Sequence, residues 1–281
     1  MKWLTLPLLL AIALPAIAAE APGTAPAAEP PKLGPDFVTE PDFALLLDAA
    51  GSAHARTLAG GAKRRSAELP EFGMKLDAWI FDRAAYTLRI ARTASPTGST
   101  IAELIGNGVF AIDGGYFERD KKTKVVEASG LLVIDGKEVA PENDRAGSGL
   151  VYAGRDGVGI GYRKALADRS GMAYAVQVGP VLVEPGGIVG IANRKNVRDN
   201  RSALCLTRQS IVAVAVTGGI SLYQLARLLA ADPAKGGFGC EVAINLDGGP
   251  STQAMFRGDK TPSVPGGSPI HNAIVIVPAS K

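Results

Sequence analysis

The chain has 281 residues, 47% of them hydrophobic and 20% charged, so it can bury a sizeable core and is not a disordered polymer. Net charge is only +3, which gives no reason to expect nucleic acid or an anionic membrane surface as a partner. The 34 Gly and 19 Pro make up roughly a fifth of the chain, above the usual share but below that of low-complexity sequences. A turn-rich, strand-rich fold is expected.

Lys2 precedes an apolar run from Leu4 to Ile17 that ends in the small-x-small pattern Ala16-Ile17-Ala18. This reads as a signal peptide over 1–18, cleaved after Ala18 with Ala19 as the near alternative. The run is short for a bilayer span and is broken by Pro15, and no Cys follows it, so no stable membrane anchor is expected. The mature chain would be periplasmic or secreted. Residues 19–41, rich in Ala and Pro, should form a tether, and 42–281 the folded domain. Between 42 and about 75, Lys63-Arg64-Arg65 is expected in a solvated loop, a surface for an acidic partner being the alternative.

From residue 76 onward, short apolar runs alternate with turn signals. Residues 78–81 and 86–91 are expected to form a strand pair, 100–106 a short helix and 108–112 a buried strand. Residues 130–134 and 137–140 flank Asp135-Gly136, a favoured hairpin turn. Strands are expected at 175–179, 181–183 and 188–191, and a hairpin from 202–207 and 210–217 around Arg208-Gln209. Ser221 and Gln224 make a capping box. Leu222, Leu225, Ala226 and Leu229 then give one apolar helix face, with Pro233 as the stop. Two last strands are expected at 241–246 and 272–278. The pattern implies a single α+β domain on a strand-rich mixed β-sheet with a few flanking helices.

Two places repeat one local arrangement. Asp113-Gly114-Gly115-Tyr116-Phe117 and Asp247-Gly248-Gly249-Pro250-Ser251-Thr252 each end an apolar strand. The strand would fix a carboxylate, and the glycines would let backbone N–H groups approach an anion as a nest. Two ordinary Asp-Gly turns are the plain alternative. Gly157-Val158-Gly159-Ile160-Gly161 is followed by strand signals, so it reads as a hairpin and not a dinucleotide loop. Two cysteines and two histidines, widely spaced, make a zinc site improbable. No cofactor is expected, and calcium or magnesium held by Asp247 and carbonyls is left open.

The ordered motifs AIDGGYF (111–117), SGLLVIDGK (129–137), QVGPVLV (177–183), RSALCLT (201–207), GGISLYQLARLL (218–229) and NLDGGPST (245–252) resemble the phosphodiester glycosidase family. The resemblance runs from about 105 to 278. It departs from the family pattern at Asp113 (usually Asn), at Pro250 (usually a third Gly), and at Ser268–Asn272, where the family often carries an Arg. It implies hydrolysis of a sugar joined through its anomeric carbon to phosphate, with a glycan or sugar phosphodiester as substrate and a role in envelope or exopolysaccharide metabolism.

On that resemblance, Asp247 is the expected acid/base or nucleophile, Arg201 the phosphate clamp, and Asp113 a second carboxylate or an orienting acceptor. Gln177 and Asn245 would meet sugar hydroxyls, and Tyr116 or Phe117 would stack on a ring, core packing being the alternative for Phe117. Gly114, Gly115, Gly179, Gly248, Gly249, Ser251 and Thr252 would line the cleft, joined by His271 unless it is a loop histidine. A non-catalytic glycan- or envelope-binding module is the alternative function. Cys205 and Cys240 are expected to form a disulfide, two buried thiols being the alternative.

Overall fold

A computed structural model describes residues 40–166, 168–193 and 197–279. The signal segment lies outside the described residues, as does the tether up to residue 39. Residues 40–41 open helix α1 (Glu40–Ser52), just ahead of the expected domain start.

The apolar runs become strands, and their alternation decides which core each side chain serves. The eight-stranded sheet runs in the order β1 (Arg56–Thr57), β2 (Lys63–Leu69), β3 (Met74–Asp82), β16 (Ser210–Ile220), β15 (Asp199–Leu206), β17 (Val242–Gly248), β13 (Val181–Glu184) and β14 (Ile188–Val189). A five-stranded sheet orders β11 (Gly157–Tyr162), β10 (Gly149–Gly154), β12 (Met172–Val178), β8 (Leu132–Ile134) and β9 (Lys137–Ala140). A four-stranded sheet orders β18 (Ala254–Phe256), β5 (Phe110–Asp113), β19 (Asn272–Pro278) and β4 (Tyr86–Arg92), and β6 (Phe117–Arg119) pairs with β7 (Val126–Ala128).

The largest sheet is covered on both faces. In β16, Ile211, Ala213 and Ala215 enter a core with Trp79, Phe81, Phe110 and Ile274. Val212, Val214 and Val216 enter a second core with Leu46 of α1 and Leu225 and Leu229 of α3 (Leu222–Ala230). A strand with two buried faces has no polar face, which is why β16 reads as a continuous apolar run. The Ser221–Gln224 capping box forms as expected, and a second one joins Thr100 to Glu103 at α2 (Ile101–Leu104). Asp135 and Gly136 both take positive φ, 51° and 74°, in the β8–β9 turn, the conformation a two-residue hairpin needs.

Three expectations are corrected. Residues 78–81 and 86–91 are strands, but β3 pairs with β2 and β16 whereas β4 pairs with β19. Trp79 and Phe81 meet Leu88 and Ile90 in the same core, so the turn at Asp82–Ala85 carries the chain across the core instead of closing a ladder. The named strands pair only antiparallel, so the sheets are not mixed. The basic run belongs to β2: the Arg64 guanidinium donates to Asp77 at 2.9 Å, and Arg65 stacks on Phe238 at 4.0 Å. Cys205 and Cys240 form a disulfide with Cα atoms 5.8 Å apart.

Candidate functional site

The two Asp-Gly-Gly loops meet where the sheets converge. Asp113 ends β5 and Asp247 nearly ends β17, and the Asp247 N–H donates to the Gly114 carbonyl at 2.9 Å. β15 runs antiparallel to β17, so its first residues arrive at the same end: Arg201 lies opposite Gly248. Ser202, next along β15, donates its hydroxyl to Asp113 Oδ1 at 2.5 Å, and the Gln253 N–H donates to the same oxygen at 3.1 Å.

The two carboxylates are not equivalent. Asp113 is fully buried, and its Oδ2 has no hydrogen-bond partner. Burial raises its pKa well above the carboxylate range, and the Asp247 charge adds to that, against the hydrogen bonds from Ser202 and Gln253. Asp247 is half-buried. Desolvation raises its pKa too, opposed by hydrogen bonds from the Gly248 N–H (2.8 Å) and the Ser251 hydroxyl. Asp247 is therefore the carboxylate a ligand can reach, and Asp113 is an acceptor set behind it.

Around them, Tyr116 donates its hydroxyl to the Gly179 carbonyl and accepts from Asn245 Nδ2 at 3.0 Å. Burial raises the Tyr116 pKa, and the nearby Asp247 charge adds to this while Arg201 opposes it. Arg201 is half-buried, and its Nε has no hydrogen-bond partner. Asn245 Oδ1 and Thr252 Oγ1 are likewise buried without one. An accessible carboxylate, a guanidinium whose Nε has no partner and a hydrogen-bonded phenol thus share one junction.

Other expected site residues have different surroundings. The Gly114 N–H is taken by the Asn272 carbonyl (3.1 Å) and the Gly115 N–H by Asn272 Oδ1 (2.7 Å). Neither amide is free, so the first loop is not an anion nest. Its glycines serve close packing: a Cβ at Gly114 would fall 2.2 Å from Asn272 Oδ1. The second loop's Gly248 N–H is held by Asp247 itself, and Gly249 takes φ 56° to start the turn through Pro250 and the buried Ser251.

Gln177 is not a sugar contact. Its Oε1 accepts from the Leu131 and Asn143 N–H groups at 3.0 and 3.1 Å, and its Nε2 donates to the Asn143 and Gly147 carbonyls. The amide has nothing left to offer. Phe117 packs beside α2 and β19, the core role named as its alternative. His271 lines a separate cavity of about 440 Å³ with Arg92 and Glu127. Burial, then Arg92, lowers its pKa to about 4, so it is neutral at pH 7 and accepts from Asn272 Nδ2 at 3.1 Å. Among the described residues, no three His, Cys, Asp or Glu side chains gather to hold a metal, and no helix is long and apolar enough to cross a membrane.

The family pattern of the phosphodiester glycosidases matches residues 106–277, well over half the chain. The chain belongs to the phosphodiester glycosidase family. Its fold is similar to that of the catalytic domain of zebrafish N-acetylglucosamine-1-phosphodiester alpha-N-acetylglucosaminidase, a form auto-inhibited by its pro-peptide. That likeness has a TM-score of 0.54 at 17% identity and covers 80% of this chain and 81% of that one. A hypothetical protein from Synechocystis is similar at TM-score 0.52 and 14% identity, over 80% of this chain and 64% of that one. No curated protein matches the sequence.

In this member of the family the sequence reading missed Ser202, Gln253 and Asn272, the buried residues that hold the Asp113 loop. Each adjoins or sits within a motif or strand already recognised, but their contacts cross 89, 140 and 157 residues, beyond any local signal. It also missed Asp199, whose carboxylate lies 3.6 Å from where a Cβ on Gly249 would stand. An acid two residues before Arg201 was the available hint.

Proposed function

We propose that this protein is an exported enzyme that hydrolyses a sugar linked through its anomeric carbon to phosphate, acting on envelope or extracellular glycans. The observation that carries this reading is the placement of accessible Asp247 next to Gly248, the residue opposite Arg201 across the β15–β17 ladder, where the second Asp-Gly-Gly loop leaves its strand. Membership of the family supports the reaction class. The leader-like segment and the disulfide support export.

In the reaction, Arg201 receives the phosphate and offsets its charge as the glycosidic C–O bond breaks. Asp247 meets the anomeric centre. Water supplies the hydroxyl that ends on the sugar, and the phosphate leaves as a monoester. Asp113 keeps its loop in register through Ser202 and Gln253 and places a buried carboxyl behind Asp247. Because desolvation raises the Asp247 pKa, the ionised form should disappear on acidification above the ordinary carboxylate range, near pH 4.

The test is incubation of the purified mature protein with UDP-N-acetylglucosamine and with simple sugar-1-phosphodiesters, reading released sugar. Release that vanishes in Asp247→Asn supports the assignment. Glycan binding without release from any diester would favour the binding module.

A further inference from the structure

Gln177 and the ion pairs around Arg163 converge on one stretch of chain, residues 142–147, and the chemistry described so far uses none of it. Gln177, buried at 1% exposure, binds the backbone of Asn143 and Gly147. Arg163, itself 9% exposed, pairs with Glu142 and Asp144, and Arg169 pairs with Glu142. A surface loop needs no buried amide and no charge network merely to connect two strands. These contacts hold it in one position.

That position is the wall of a cleft of about 970 Å³. The cleft shares Tyr116 and Gly179 with the Asp247 site and takes in Ser148, Tyr162, Arg145 and Lys164. Asp144, on the cleft wall, pairs with Arg163, and Glu184 accepts from the Tyr162 hydroxyl at 3.1 Å. Arg145 and Lys164 are exposed, and neither belongs to an ion pair among the described residues. Two uncommitted cations therefore stand on a rigid rim, beside an exposed tyrosine ring, along a path that leads to Tyr116.

We infer that this cleft binds the leaving-group side of the substrate and selects a leaving group that carries anionic charge beyond the scissile phosphate. The inference rests on the glycosyl phosphodiester reading. Arg201 takes the scissile phosphate, while Arg145 and Lys164 take the next one. Gln177 is a positioning residue for that subsite. A second phosphate can come from a nucleoside diphosphate or from the next repeat of a phosphodiester-linked glycan, and the chemistry recognised is the same.

The experiment compares the mature protein with the double variant Arg145→Gln/Lys164→Gln, whose two sites are exposed, with a melting curve to show that the fold is retained. Titration with inorganic pyrophosphate should give a Kd about tenfold weaker in the double variant. The swap Arg145→Lys/Lys164→Arg should retain binding, and added salt should weaken it in the parent. In kinetics, the preference of the parent for a UDP-sugar over a methyl sugar phosphodiester should collapse through KM. Repeating the comparison with a phosphodiester-linked oligosaccharide identifies the source of the charge, since the larger loss marks it.

An unchanged pyrophosphate Kd overturns the inference, as does lost affinity with undiminished discrimination between the two diesters. If the parent cleaves no diester but binds pyrophosphate through Arg145 and Lys164, the cleft stands and the proposed activity falls.

Discussion

Asp113 is a carboxylate placed where ionisation is costly. Its side chain has no exposure, and Oδ2 lacks a partner. Its folded-state pKa is raised, so the folded chain binds a proton more tightly than the unfolded one. The stability this contributes is complete at low pH and declines as pH climbs from the unfolded value toward the folded one. Asn keeps an acceptor for Ser202 and Gln253 but does not ionise. Thermal melts across pH 4 to 8 should show Asp113→Asn gaining on the parent as pH rises, and a gap that stays flat would contradict the burial argument. Asp247→Asn should behave differently: turnover falls by about a thousandfold or more, with little change in melting temperature, because an accessible carboxylate serves chemistry more than packing. In the parent, the acid limb of kcat/KM should lie above about pH 4.

At the scale of elements, Asn272 on β19 is the clamp. It accepts from the Gly115 N–H and donates to the Gly115 carbonyl, from a strand 157 residues away. Asn272→Ala would strand that buried N–H and cost about 1–3 kcal/mol, seen in chemical denaturation. Such long-range partners explain what could be read in advance. β19, the β8–β9 turn and the α3 cap were legible because alternation, Asp-Gly and Ser-x-x-Gln are local signals. The separation of β3 from β4 was not, since two adjacent strands can pair edge to edge or face each other across a core. The sequence also shows which loops carry carboxylates. Only the fold shows that Gln177 spends its whole amide on residues 131–147, or that Asn272 has already occupied the first loop's amides.

For the whole molecule, the disulfide ties β15 to the segment entering β17 and encloses β16 and α3, closing a loop 35 residues apart in sequence. Cys205→Ser/Cys240→Ser should lose roughly 3–4 kcal/mol in the chain-entropy account, measured by denaturant unfolding of both proteins. The site should survive, because Cys205 stands near the end of β15 and Arg201 near its start.

β19 lies between β4 and β5, and its residue Asn272 holds the loop of Asp113 in place. Among the described residues it follows every other strand in sequence. Without β19 the four-stranded sheet has a gap through its middle, and the first Asp-Gly-Gly loop loses the side chain that holds Gly115 at both its N–H and its carbonyl. A chain ending at residue 271 would carry Asp113, Arg201 and Asp247, and every motif of the series, yet lack the strand that sets the first of them in place. A chain cut short before residue 272 should therefore release no sugar, however much of the motif series it retains.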